Sequence, residues 1–193
     1  LRLSGADVRI VAGCGIHNSG CNESRHDGIH TFHVGKNANV RYEEKHYGEG
    51  NGTGARVLNP VTNIFVGENS VFTLDTAQIK GVDSTVRETN VELGKDAKLY
   101  VTERLMTDGE QKAESNIEVQ LNGEDSSAQI VSRSVGKGTQ SRPSIRMLSA
   151  TANARLISSV ILSSWIMQRS VQSLKSGQKI SMQLSSMRQQ SAG

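Results

Sequence analysis

Apolar and polar residues alternate along most of this chain in short runs that return at a nearly fixed interval. Gly5, Gly35, Gly67, Gly94 and Gly123 are separated by 30, 32, 27 and 29 residues. Just before each lies an alternating apolar pair: Leu1/Leu3, Phe32/Val34, Ile64/Val66, Val91/Leu93 and Val119/Leu121. Five and seven residues after each comes another: Ile10/Ala12, Val40/Tyr42, Phe72/Leu74, Leu99/Val101 and Ala128/Ile130. Turn formers separate the pairs, as in Gly-Lys-Asn-Ala at 35–38 and Gly-Lys-Asp-Ala at 94–97.

Each unit therefore reads as strand, Gly-centred turn, strand. A period of two turns one face inward and the charged face outward. The Gly–Asn/Asp turns supply the positive-φ positions that a sharp bend needs. Two architectures satisfy this pattern. Five hairpins could form an antiparallel meander, or the turns could bend the chain at the corners of a parallel β-helix. Like residues at like offsets favour stacking, because Val34, Val66 and Leu93 then form one ladder. The predicted fold is all-β: a parallel β-helix of about five coils, about 24 Å tall at the spacing of stacked strands.

Composition agrees, with 4% aromatic residues and 19 Gly against 2 Pro. No apolar run reaches the roughly 18 residues of a membrane span. The chain opens on strand-like sequence with no charged and apolar leader. It is expected to be a fragment whose natural start is missing, from a cytoplasmic protein.

Candidate chemistry gathers near the start. All five histidines and both cysteines fall within residues 14–46. Cys14, Cys21, His26, His30 and His33 are the candidate metal ligands, offering the sulfur and nitrogen donors that zinc or iron accepts. Their spacing fits no standard zinc motif, and a polar loop entering a strand is the competing reading. His30 and His33 are expected on opposite faces of that strand. The Gly-rich HYGEGNGTG at 46–54 lacks the Gly-Lys-Ser/Thr of a phosphate loop and reads as a long turn between coils. No nucleophile elbow is present. Glu43, Glu44, Asp75 and Glu92 are expected to face water, which speaks against the paired acids of a carbohydrate-active β-helix enzyme, the main alternative function.

Longer blocks carry a resemblance. The run HDGIHTFHVGKNANVRYEEKHYGEG…GTGARVLNPVT (26–62), then DSTVRETNVELGKDAKLYVTERLMTDG (83–109) and LNGEDSSAQIVSRSVGKGT (121–139), resembles the SufB/SufD family of iron–sulfur cluster assembly proteins. The likeness is to the short SufD-like type of archaea and clostridia, and it spans residues 1–139. It implies a right-handed parallel β-helix core and a non-enzymatic scaffold that handles a transient Fe–S cluster. The implied partners are a SufC-type ABC ATPase and a second SufB/SufD-type subunit, or a second copy of the chain. The family's cluster-handling Cys and His/Glu segments and its ATPase-docking helices lie further on, and the written sequence lacks them.

Residues 140–193 change character. From 141 onward there are 14 Ser, 7 of the 22 Lys/Arg and none of the 19 Asp/Glu. The first 140 residues thus carry a net charge of −4 and the rest +7. A single-base frame error near residue 139 accounts for the change. Read one base out of step, 158–174 can encode CDSVIMDNAKVRSIP and the end IDAAQLNEAAIG, the missing family segments in order. The DNA across codons 135–145 decides this, an unambiguous in-frame read ending the idea. The tail as written is expected to be irregular or helical, and its charge implies neither nucleic acid nor a membrane as partner. The competing reading is a natural amphipathic helix over 156–174.

Overall fold

A computed structural model describes the backbone of residues 2–137, 142–150, 155–162, 166–173 and 179–184, with side chains from Ser4 to Gly136. The chain winds into a parallel β-solenoid whose strands stack into two sheets. The first coil holds β1 (Arg2–Leu3), β2 (Asp7–His17) and β3 (Ser24–His26). The second holds β4 (Ile29–Val34), β5 (Asn39–Glu49) and β6 (Arg56–Leu58). β7 (Val61–Val66) and β8 (Val71–Lys80) follow, then β9 (Ser84–Leu93), β10 (Lys98–Asp108), β11 (Lys112–Leu121) and β12 (Ser127–Lys137). One sheet runs β1-β4-β7-β9-β11 and the other β2-β5-β8-β10-β12, every neighbouring pair parallel. The meander is thereby excluded.

The alternation of the sequence becomes columns of side chains. Val40, Phe72, Leu99 and Ala128 stack in register on one sheet, and Tyr42, Leu74, Val101 and Ile130 form the column beside them. Facing them across the interior are Phe32, Ile64, Val91 and Val119, with Val34, Val66, Leu93 and Leu121 alongside. All belong to one buried apolar cluster. Each such side chain removed from water contributes about 1.5–3 kcal/mol, and each coil completes the burial of its neighbours.

At the corners the division of labour differs from expectation. The positive φ falls on Asn37, Asn69, Asp96 and Asp125, between 54° and 57°, and not on the glycine two residues earlier. Asn and Asp tolerate this region because a short polar side chain bonds locally; here Asn69 Nδ2 also donates to Asn37 Oδ1 at 2.8 Å, one coil below. The repeating glycines answer to stacking instead. A Cβ on Gly123 would sit 2.0 Å from Lys95 N and 2.1 Å from Gly94 C. Gly5 belongs to the other group: its φ is +60° and its N–H bonds Lys36 O, as Asn37 N–H bonds Glu68 O, so it matches Asn37 and not Gly35.

The uneven repeat interval has its source on the remaining side of each coil. The first two coils carry long connections, residues 18–23 and 50–55, that stack through Gly52 N–H to Asn18 O and Gly54 N–H to Gly20 O. Later coils turn at Gly81 and Gly109 alone (φ +75° and +62°). There β9 runs continuously over the positions of β6 and β7, Ser84 beside Val57 and Glu88 beside Val61.

The described stretches of the tail are strands and contain no helix. β13 (Arg142–Ala150) and β14 (Arg155–Leu162) add parallel to β11 and β12, where an irregular or helical tail was expected. β15 (Ile166–Ser173) and β16 (Lys179–Leu184) then pair antiparallel with β14 and β13. The physical reason is the open edge of each sheet, whose unpaired N–H and C=O groups accept a strand of almost any composition. The junction proposed for the frame error, near residue 139, lies outside the described residues.

Candidate functional site

The columns that continue past Tyr42 are polar although they point inward. Alternation on β5 sends Tyr42, Glu44 and His46 to the same face as Val40, and all four are buried. Register then stacks Glu44, Thr76, Glu103 and Ser132 in one file, and Cys14, His46, Gln78 and Leu105 in the next. Arg87 reaches in from β9 on the facing sheet, only 2% exposed. The solenoid interior is thus apolar on one side and polar on the other.

Two linked groups make up the polar side. In the deeper one, Arg87 Nη1 donates to Thr76 Oγ1 at 2.6 Å and approaches Glu103 Oε1 at 3.3 Å. Ser115 and Ser132 hydroxyls donate to the two Glu103 oxygens at 2.6 and 2.7 Å. Arg87 Nη2 lies 2.6 Å from His46 Nδ1. A guanidinium only donates, so His46 Nδ1 accepts and its proton sits on Nε2. The second group centres on Glu44 Oε1. Tyr42 Oη donates to it at 2.8 Å, Cys14 Sγ stands at 3.6 Å, His30 Nδ1 at 3.0 Å and His46 Nε2 at 3.3 Å.

Burial raises the Glu44 carboxyl, but His46, Tyr42 and Arg87 outweigh it and bring it down to about 2. Glu44 is therefore ionised inside the protein. Burial, helped by the Arg87 charge and opposed by Glu44, pulls His46 below its ordinary range, so its imidazole is neutral at pH 7. Burial and the Glu44 charge push the Cys14 thiol up to about 11, and the same two causes raise the Tyr42 phenol.

Of the five candidate ligands, Cys14 and His30 enter this cluster, both half-buried. The other three lie on the outside. Cys21 is exposed in the first long connection. His26 is exposed on β3, and His33 points outward from β4 with its ring stacked on Phe65 at 4.9 Å. His30 and His33 do take opposite faces. Glu44 corrects the expectation of a solvated acid, being 3% exposed. Parity was the available signal: Glu44 shares its face with Tyr42, whereas Glu43 lies outside and pairs with Arg9 at 2.9 Å. His46 is likewise found by parity, and so is Arg87, which shares its face with Val91 and Leu93, although an inward arginine becomes credible only with partners from other coils.

Alkylation separates the two thiols. With iodoacetamide on the folded protein near pH 8, Cys21 is expected to react first, and Cys14 more than about tenfold more slowly, as its raised pKa and burial withhold the thiolate. Peptide mapping by mass spectrometry reads the two rates; equal rates would contradict the inward placement of Cys14.

Fold and site together define the class: a parallel β-solenoid with a buried, charged polar file beside an apolar one. Within that class, the chain matches the family model for the SUF system FeS cluster assembly SufBD core domain over residues 5–177. The chain belongs to this family, and its role lies in Suf iron–sulfur cluster assembly. No curated protein and no solved structure matches it significantly.

Proposed function

We propose that the chain is a non-catalytic scaffold subunit of a Suf-type complex. It acts in the cytoplasm with a SufC-type ABC ATPase and a second SufB/SufD-type subunit, or a second copy of itself. The Fe–S cluster is its cargo, built or relayed and then released. The observation that carries this reading is the SufBD core match lying over a continuous parallel stack. Column-on-column packing suits a scaffold, because parallel coils locked in register hold groups on different coils at fixed separations.

Co-expression with the SufC-type ATPase and SufB-type subunit of the same genome tests the reading. The chain is expected to co-purify with the second subunit through its solenoid, and a frame-corrected version to retain the ATPase as well. Anaerobic reconstitution with iron and sulfide then compares the two versions. If the corrected chain bound no ATPase and held no cluster, the scaffold assignment would fail.

A further inference from the structure

We infer that Cys14, His30 and Glu44 form a site for a single divalent first-row transition-metal ion, with His46 positioning the carboxylate. Cys14 Sγ, His30 Nδ1 and a Glu44 oxygen lie within 4.8 Å of one another. Donors around a tetrahedral zinc at about 2.0–2.3 Å stand about 3.3–3.8 Å apart, so small side-chain adjustments suffice. Of the separations from Glu44 Oε1, 3.6 Å to Cys14 Sγ falls within that spacing and 3.0 Å to His30 Nδ1 lies a little below it.

Three further observations point to a cation. First, Glu44 Oε1 is over-subscribed: a carboxylate oxygen has two lone pairs, and four side chains converge on this one. An ion held by the Glu44 carboxylate would take the Cys14 sulfur and the His30 nitrogen as its own ligands, leaving Tyr42 and His46 as the two donors to that oxygen. Second, His46 Nε2 is fully buried, aims at the same oxygen from 3.3 Å, and has no well-formed hydrogen bond. Its tautomer, set by Arg87, makes it a donor that would orient a ligating carboxylate. Third, among the described residues the Arg87 guanidinium is taken up by Thr76, Glu103 and His46 and makes no hydrogen bond to the Glu44 carboxylate.

Thiolate, imidazole and carboxylate together select zinc, ferrous iron or cobalt over calcium or magnesium, which take oxygen ligands. Binding releases the Cys14 proton to solvent, and a His30 that ligates through Nδ1 does so as the neutral imidazole with its proton on Nε2. Access is through the half-exposed side, where His30 remains 30% exposed, and a fourth position is left for water. The site stands on its own ligand geometry and does not depend on the Suf partners.

The test uses the purified full chain under anaerobic conditions, with Zn²⁺ by equilibrium dialysis and Co²⁺ as a spectroscopic probe. One equivalent is expected to bind, Co²⁺ giving thiolate-to-metal charge transfer in the near ultraviolet. Cys14→Ser is expected to abolish that band and weaken Zn²⁺ binding at least about tenfold, and His30→Ala to weaken it similarly. Cys21→Ser is expected to keep both band and affinity. Thermal melts of the metal-free variants check folding, and added Zn²⁺ is expected to raise the melting temperature of the unsubstituted chain but not of Cys14→Ser. The site is overturned if the unsubstituted chain binds no metal, or if the band survives Cys14→Ser and is lost in Cys21→Ser. ATPase co-purification, measured on the same variants, reports on the Suf reading separately.

Discussion

Arg87→Met is expected to destabilise the solenoid by about 3–5 kcal/mol, the cost of removing one partner from a buried ion pair. The substitution leaves Glu103, 1% exposed, with two serine hydroxyls and no cation. It also strips the donor from His46 Nδ1 and from Thr76 Oγ1. The double variant Arg87→Met/Glu103→Leu is expected to recover part of the loss, because the stranded Glu103 carboxylate is gone and apolar side chains of similar volume fill the file, while Glu44 still loses the nearby Arg87 charge. Urea unfolding of the single and double variants measures both. If the double variant were as unstable as the single one, the loss would come from packing and not from the stranded carboxylate.

Gly123→Ala is expected to cost about 3 kcal/mol, the upper end of the penalty for over-packing. Its new Cβ would meet backbone at 2.0–2.1 Å on Gly94 and Lys95, and backbone in a stacked coil cannot swing aside. Gly94→Ala is the control. There the nearest atom is Val66 O at 3.1 Å, and the lower entropy of the unfolded alanine chain offsets the crowding, for a net change under about 1 kcal/mol. Thermal melts of the two variants make the comparison. Equal losses would mean that these glycines serve backbone bending, as the sequence pattern suggests, and not the approach of one coil to the next.

Much of the fold was legible because its signal is local. Val34, Val66 and Leu93 recur at like offsets, and each stacks where the repeat puts it. The turn read over 46–54 was legible only in its second half: residues 46–49 extend β5, and the connection at 50–55 stacks on the one before. Gly5 was misplaced by two residues because apolar pairs and glycines set the alignment, whereas the corner conformation decides it. The described strands of the tail were not expected, because composition governs what a strand buries but not whether an open sheet edge will accept its backbone.

The candidate site was half legible. Cys14 and His30 stood out as donors, and so, wrongly for this cluster, did Cys21, His26 and His33. Residue type marks a possible ligand; only the face it occupies and the coil beside it make a cluster. Glu44 carried the right parity but read as solvated, since a charged residue on a strand is outside far more often than in, and His46 was placed in the turn read over 46–54.

Sequence by itself determined that this chain alternates in five near-equal units, that the units stack, and to which family they belong. These follow from periodicity and from consecutive matching blocks, and neither depends on distance. Tertiary structure alone decided that half of the interior is polar, and that Arg87 on β9 meets His46 on β5 and Glu103 on β10. It also brought Cys14 and His30, from separate coils, to one carboxylate. The reason is geometric: stacking places residues about thirty positions apart within hydrogen-bond reach, and no local pattern records which of them will meet.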